Sequence, residues 1–210
     1  GNASDFFGDE GFSDFFSNLF GGRGGSRRPR TSRGQDYQAE VELTLEEAYH
    51  GASRIFDLHG HKIRIRIKPG IRHGQVLSIR GKGTAGVNGG PAGDLYVTVH
   101  VLPHETFTRN EDDLVQTVTV DIYTAVLGGT ASAETFTGKV NFTVPAGVQQ
   151  GKVLRLKGKG MPVYGAPGQF GDMLVKVNIA MPVNLSEEEK ELFRKLKNAA
   201  MQKRSTYASV

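Results

Sequence analysis

The sequence predicts a mainly β protein: two tandem, homologous β-sandwich or open-barrel domains with short helices, followed by one C-terminal helix. Three observations carry this. The first is an internal repeat, which decides architecture before any single element does. Lys62 to Gly83 (KIRIRIKPGIRHGQVLSIRGKG) lies over Lys139 to Gly160 (KVNFTVPAGVQQGKVLRLKGKG) at a constant offset of 77 without a gap. Gly70/Gly147, Gly74/Gly151, Val76/Val153, Leu77/Leu154 and the closing Gly-Lys-Gly are identical. The second is a set of short alternating apolar runs at roughly ten-residue spacing, broken by glycine turns, which is the pattern of small sandwiches and barrels. The third is the change after Pro182 from this alternation to a helical period.

Taken in order, residues 1–34 read as a Gly/Phe-rich and then Arg-rich flexible linker, in which Ser13 to Leu19 can form a short capped helix. Six phenylalanines among Gly, Ser and Asp make the start of this segment prone to transient docking on something apolar. The first β-domain is expected over 35–104 and its repeat over 105–184. Each opens with a strand (Tyr37 to Leu43; Leu114 to Val120) that runs into a short helix. Thr44 with Glu47 forms a capping-box pattern, Asp121 stands at the equivalent place, and Gly51 or Gly128 ends the helix. VELTLEEAYHGA over VTVDIYTAVLGG, and GDLYVTV over GDMLVKV after one inserted residue, extend the repeat on both sides. Over 185–210, Ser186 to Glu189 is another capping box, and Leu192, Phe193, Leu196, Ala199 and Ala200 form an apolar stripe on a charged helix. Such a stripe must be covered, either by the second domain or by a second chain.

Composition excludes several chemistries. With no cysteine there is no disulfide framework, no Cys-ligated zinc module and no thiol nucleophile, which suits a reducing, cytoplasmic setting. No apolar run approaches the ~20 residues of a membrane helix, and the N-terminus lacks a secretory-signal pattern, so no membrane association is expected. The formal net charge of +4 is unevenly placed. Arg23, Arg27, Arg28, Arg30 and Arg33 fall in one acid-free stretch, readable as a solvated linker or as a nucleic-acid arm. Arg64, Arg66 and Lys68 alternate with Ile63, Ile65 and Ile67. That makes a strand with one basic face, the ordinary outer face of a half-buried strand or a nucleic-acid contact.

No catalytic constellation can be nominated, so an enzyme is not expected, and neither a cofactor nor a metal. Gly81 to Gly86 is formally GxGxxG, but no helix follows and Asn88 to Pro91 forbids one, so it reads as a loop. No GxxxxGK[ST] occurs. His59 and His61 alternate on one face without a third ligand at sensible spacing, and they read as a surface pair. Asp94 and Asp172 follow Gly at equivalent places in the two copies. Acids duplicated in this way are expected to hold a turn through backbone N–H groups rather than to perform catalysis twice.

In combination, the Phe/Gly segment, the duplicated domain with LTLEEAYHG and KPGIRHGQVLSIRGKG, the NGGPAGDLYV hairpin and the terminal helix resemble the C-terminal half of DnaJ-family co-chaperones. Without CxxCxGxG repeats the chain is similar to class B members, which include the curved-DNA-binding protein A subgroup. No His-Pro-Asp tripeptide occurs, so the resemblance implies a fragment that starts in the Gly/Phe region. Stimulation of a DnaK-type ATPase would then belong to the J-domain of the parent. The resemblance also implies a client-binding groove between the first two strands of the first domain, matched here by Ala39, Val41, Phe56 and Leu58. It implies dimerisation through the C-terminal helix at Leu192, Phe193 and Leu196. The partners implied are unfolded polypeptides, a DnaK-type chaperone and a second copy. DNA, met by Arg64, Arg66 and Lys68, is the alternative.

Overall fold

The structure, a computed structural model, describes residues 31–58 and 60–207, with side chains as far as Lys203 in the terminal helix. The Phe-rich segment with its expected helix, Arg23, Arg27, Arg28, Arg30 and His59 lie outside the described residues. The described fold is mainly β, as predicted.

One series of elements is met twice. The first copy comprises β1 (Tyr37–Leu43), α1 (Leu45–His50), β2 (Ala52–Leu58), β3 (His61–Ile67), β4 (Val76–Ile79) and β5 (Leu95–Val101). After an extra short strand, β6 (Thr108–Asn110), come β7 (Asp113–Asp121), α2 (Ile122–Leu127), β8 (Gly129–Thr135), β9 (Gly138–Val144), β10 (Val153–Leu156) and β11 (Met173–Ala180). The chain ends in α3 (Glu187–Tyr207). The sheets follow the repeat: β1-β5-β4 matches β10-β11-β7 read in reverse, with β6 added at the edge, and each copy has a separate hairpin, β2-β3 or β8-β9. In the second copy β11 runs parallel to β7, from Met173 opposite Leu114 to Ala180 opposite Asp121.

Local chemistry explains the helices. The Thr44 hydroxyl accepts from Glu47 N–H at 3.1 Å while the Glu47 carboxylate accepts from Thr44 N–H at 3.0 Å, closing the predicted capping box. Asp121 caps α2 by accepting from the Thr124 amide and hydroxyl, both at 2.7 Å. Those bonds hold its carboxyl below the usual carboxylate range, the Thr124 amide contributing most. Ser186 and Glu189 make the third cap reciprocally, at 2.7 and 3.1 Å.

The described residues form two compact units, one from residues 31–39 with Ser78–Tyr96, the other from Glu40–Leu77 with residues 97–207. In the smaller unit, Asp94 accepts from Gly81 N–H and from Arg33, while its own amide donates to Asp36. In the larger, Asp172 accepts from Gly158 N–H and from Arg155, and its amide donates to Asp113. The duplicated acids hold equivalent turns by equivalent backbone bonds, through Gly81 and Gly158 and through Asp36 and Asp113, as the repeat predicted, while the arginine partners differ in origin. The core of the larger unit is made by alternating inward residues: Leu43, Ile67, Val97 and Val99, then Leu114, Val144, Val175 and Val177, all at most 1% exposed. Each such side chain contributes about 1.5–3 kcal/mol on burial.

Candidate functional site

On β1, alternation sends Val41 and Leu43 inward, 8% and 0% exposed, and leaves Ala39 half-buried on the same face. β1 is the end strand of its sheet, so one of its edges has no strand partner in the sheet order. On β2, Arg54, Phe56 and Leu58 share one half-buried face, and the register sets Phe56 opposite Ile63 and Leu58 opposite His61 on β3. β1 and β2 belong to different sheets. The expected groove residues are therefore two pairs on two elements: Ala39 with Val41, and Phe56 with Leu58. Val41 is also a core residue, because its side chain is almost wholly covered.

One ion pair orients β2. Arg54 Nη2 donates to both carboxylate oxygens of Glu47, at 2.7 and 2.8 Å, so the carboxylate that caps α1 also holds the second strand. The Arg54 bond, with the cap bond second, keeps the Glu47 carboxyl below its ordinary value. The opposite face of the hairpin is basic. Arg64 and Arg66 are exposed on β3, Lys68 follows just past its end, and none of the three has an ion-pair partner among the described residues. Ile55, opposite Arg64 on that face, is 60% exposed.

The second copy is built differently at the same positions. Gln116, Ala133 and Thr135 replace Ala39, Phe56 and Leu58, while Val118 repeats Val41. Ala133 is 1% exposed, so this hairpin sits close against what it covers. Phe136, at its turn, joins an aromatic cluster with Phe107, Tyr49 and His104, at centroid distances of 4.8, 5.0 and 5.6 Å. On α3, Leu192 and Leu196 are 58% and 65% exposed and Phe193 is half-buried. The apolar stripe is thus left largely uncovered among the described residues.

Two contacts between the copies were not legible beforehand. Arg109 on β6 donates to the carbonyls of Ile71 (2.6 Å), Gly70 (3.0 Å) and Glu111 (2.7 Å). Burial draws its guanidinium below the ordinary value. Gly70, at φ +84°, lies so close to the 162–164 backbone that a Cβ would stand 2.4 Å from the Pro162 carbonyl oxygen. The three-residue β6 carries no sequence signal, although Gly70 itself stood out as a repeated glycine.

A duplicated β unit with capped one-turn helices, a separate hairpin in each copy and a free terminal helix defines a class, the tandem β-domain proteins of the DnaJ C-terminal type. The family model described as DnaJ C terminal domain matches residues 37–182, and the chain belongs to that family. It is 42% identical over 191 residues to chaperone protein DnaJ 2 of Thermus thermophilus, an alignment covering 90% of this chain and 66% of that protein. It is 37% identical over 205 residues to the curved DNA-binding protein of Coxiella burnetii, covering 89% and 64%. It is 32% identical over 267 residues to chaperone protein DnaJ of Streptococcus uberis, covering 92% and 71%. The chain spans slightly less than two thirds of the length of the first two relatives. Among the described residues no helix is long and apolar enough to cross a membrane.

Proposed function

We propose that this chain is the client-holding module of a cytoplasmic DnaJ-type co-chaperone, with domain limits at 35–104, 105–184 and 185–210. It captures extended apolar stretches of unfolded polypeptides without ATP. In a full-length protein that also carries a J-domain, it passes them to a DnaK-type chaperone. One observation carries the reading: the half-buried Phe56 and Leu58 face of β2 in the first copy, together with the unpartnered edge of β1, where the second copy has Ala133 and Thr135. An extended client adds its main chain to an open strand edge while its side chains enter apolar recesses. The exposed Leu192 and Leu196, with Phe193, pair α3 with a second copy, and two holding sites on one dimer gain avidity for a long chain.

The test is suppression of light scattering by a chemically denatured reporter, without ATP. Phe56→Ser with Leu58→Ser abolishes suppression while the dimer persists; unchanged suppression removes the groove. Leu192→Glu with Leu196→Glu gives a monomer in light-scattering mass measurement, and a surviving dimer moves the interface elsewhere.

The exposed, unpaired Arg64, Arg66 and Lys68 favour a second reading, a dimeric DNA-binding module. Its affinity would fall with salt at a log-log slope of about −0.9 per phosphate contact, whereas apolar holding tolerates salt.

A further inference from the structure

A pocket of about 540 Å3 lies between the end of α1, the turn after β3 and the 162–170 loop. Its walls are apolar: Tyr49, Pro69, Pro162, Val163, Pro167 and Phe170. Phe56 and Leu58 take no part in it. The pocket is held open by stiff parts. Pro162 and Phe170 form a β-bridge, and Val163 N–H donates to Gln169 O at 2.9 Å across the base of the loop. Tyr49 is braced by Phe136 at 5.0 Å and Phe170 at 6.2 Å. Phe170 is nevertheless 43% exposed, a large aromatic surface facing solvent.

The polar side chains at this pocket are Tyr49, His50 and Lys68, each able to donate a hydrogen bond, and none is a carboxylate. Lys68 is exposed and has no ion-pair partner among the described residues. His50 is exposed beside it, and no carboxylate lines the pocket. The Tyr49 hydroxyl has no hydrogen-bond partner among the described residues, and partial burial raises its pKa, so it stays a neutral donor. Lys68 also continues the row of Lys62, Arg64 and Arg66, and like charges in a row extend a positive potential over the opening. An apolar recess of this size with a few convergent donors is the ordinary form of a specific binding site.

We propose that this pocket docks a short acidic segment of a partner protein in which an aromatic side chain is flanked by carboxylates. The ring enters between Tyr49, Phe170 and the prolines, and the carboxylates meet Lys68 and the Tyr49 hydroxyl. In the second copy Val126, Leu127 and Pro145 occupy the places of Tyr49, His50 and Lys68, so the chemistry is particular to the first.

The experiment is calorimetric titration of the whole chain with the peptide Gly-Asp-Phe-Phe-Asp-Gly and two controls, one with Asn for Asp and one with Ser for Phe. The Asn peptide binds about tenfold more weakly, the loss expected for one charge-assisted hydrogen bond. The Ser peptide does not bind. Lys68→Glu weakens the acidic peptide by at least about tenfold while leaving the Asn peptide unchanged. Phe170→Ser abolishes both, and Phe56→Ser alters neither. Lys68 is exposed and unpaired, so Lys68→Glu decides the matter even if Phe170→Ser disturbs the loop. No heat with the acidic peptide, equal affinity for the Asn peptide, or an unaffected Lys68→Glu variant overturns the proposal. Loss of binding in Phe56→Ser instead assigns the peptide to the client face, and binding that survives Phe56→Ser stands even if client holding fails.

Discussion

The two hairpins, β2-β3 and β8-β9, occupy equivalent places in a duplicated unit, yet one is closed down and the other is left with unspent surface. In β8-β9 the inward residues of the first strand are small, Ala133 and, on the second strand, Phe142 are covered, and Phe136 pins the turn into an aromatic cluster. In β2-β3 the same inward positions carry Phe56 and Leu58, both half-buried, and the outward face carries Arg64 and Arg66 where the second copy has Asn141 and Thr143. The elements that make the fold did not diverge: the caps, the Asp94 and Asp172 turns and the inward apolar alternation persist in both copies. Duplication thus kept what closes backbone hydrogen bonds and let the faces drift apart, one closed and one left half-exposed.

The largest expected effect tests whether the copies are equally tolerant at their repeated glycine. Gly70→Ala places a Cβ 2.4 Å from a carbonyl oxygen and 2.7 Å from the Tyr164 nitrogen, at φ +84°. Gly147→Ala meets the φ penalty alone, since nothing lies within 4 Å. Urea unfolding should show Gly147→Ala losing about 1–2 kcal/mol and Gly70→Ala clearly more, through backbone displacement as well as strain. Similar losses would mean that the 162–164 loop yields freely.

Exchanging the hairpin faces comes next. Ala133→Phe overpacks a covered site and should cost about 1–3 kcal/mol. Phe56→Ala removes a half-buried ring, costs about 1–2 kcal/mol at most and abolishes client capture. If Ala133→Phe instead created a second capturing face with intact stability, the closed state of β8-β9 would be wrong.

Acid should act on the larger unit through Asp172. The Gly158 amide, and after it Arg155, hold the Asp172 carboxyl below the usual carboxylate range. Its stabilising contribution is therefore fully present above the unfolded value of about 3.9 and is lost as pH falls through the lower folded value. Thermal melting of Asp172→Asn, compared with the parent between about pH 5 and 2, should show a flatter decline. An identical slope would remove this aspartate from the acid response.

The smallest effect separates the two helix caps. Thr44→Ala should cost about 1 kcal/mol at every pH. The Asp121 cap weakens only in acid, because protonation takes away an acceptor that its lowered pKa otherwise preserves. A pH-dependent loss in Thr44→Ala would point instead to its Glu47 partner.

The sequence alone determined the mainly β class, the duplication, the three caps, the turn-holding role of Asp94 and Asp172 and the apolar stripe of α3. All of these are written in residues a few positions apart or in two segments that match each other, so local hydrogen bonding and periodicity are enough to read them. The tertiary structure decided which faces of the hairpins remain open, that Val41 is nearly covered while Phe56 is not, and that Arg109 and Gly70 join the copies. It also decided that Tyr49, Lys68 and Phe170 surround one recess. Those facts depend on which distant segments meet, and periodicity along one strand shows which residues share a face without showing what stands opposite it.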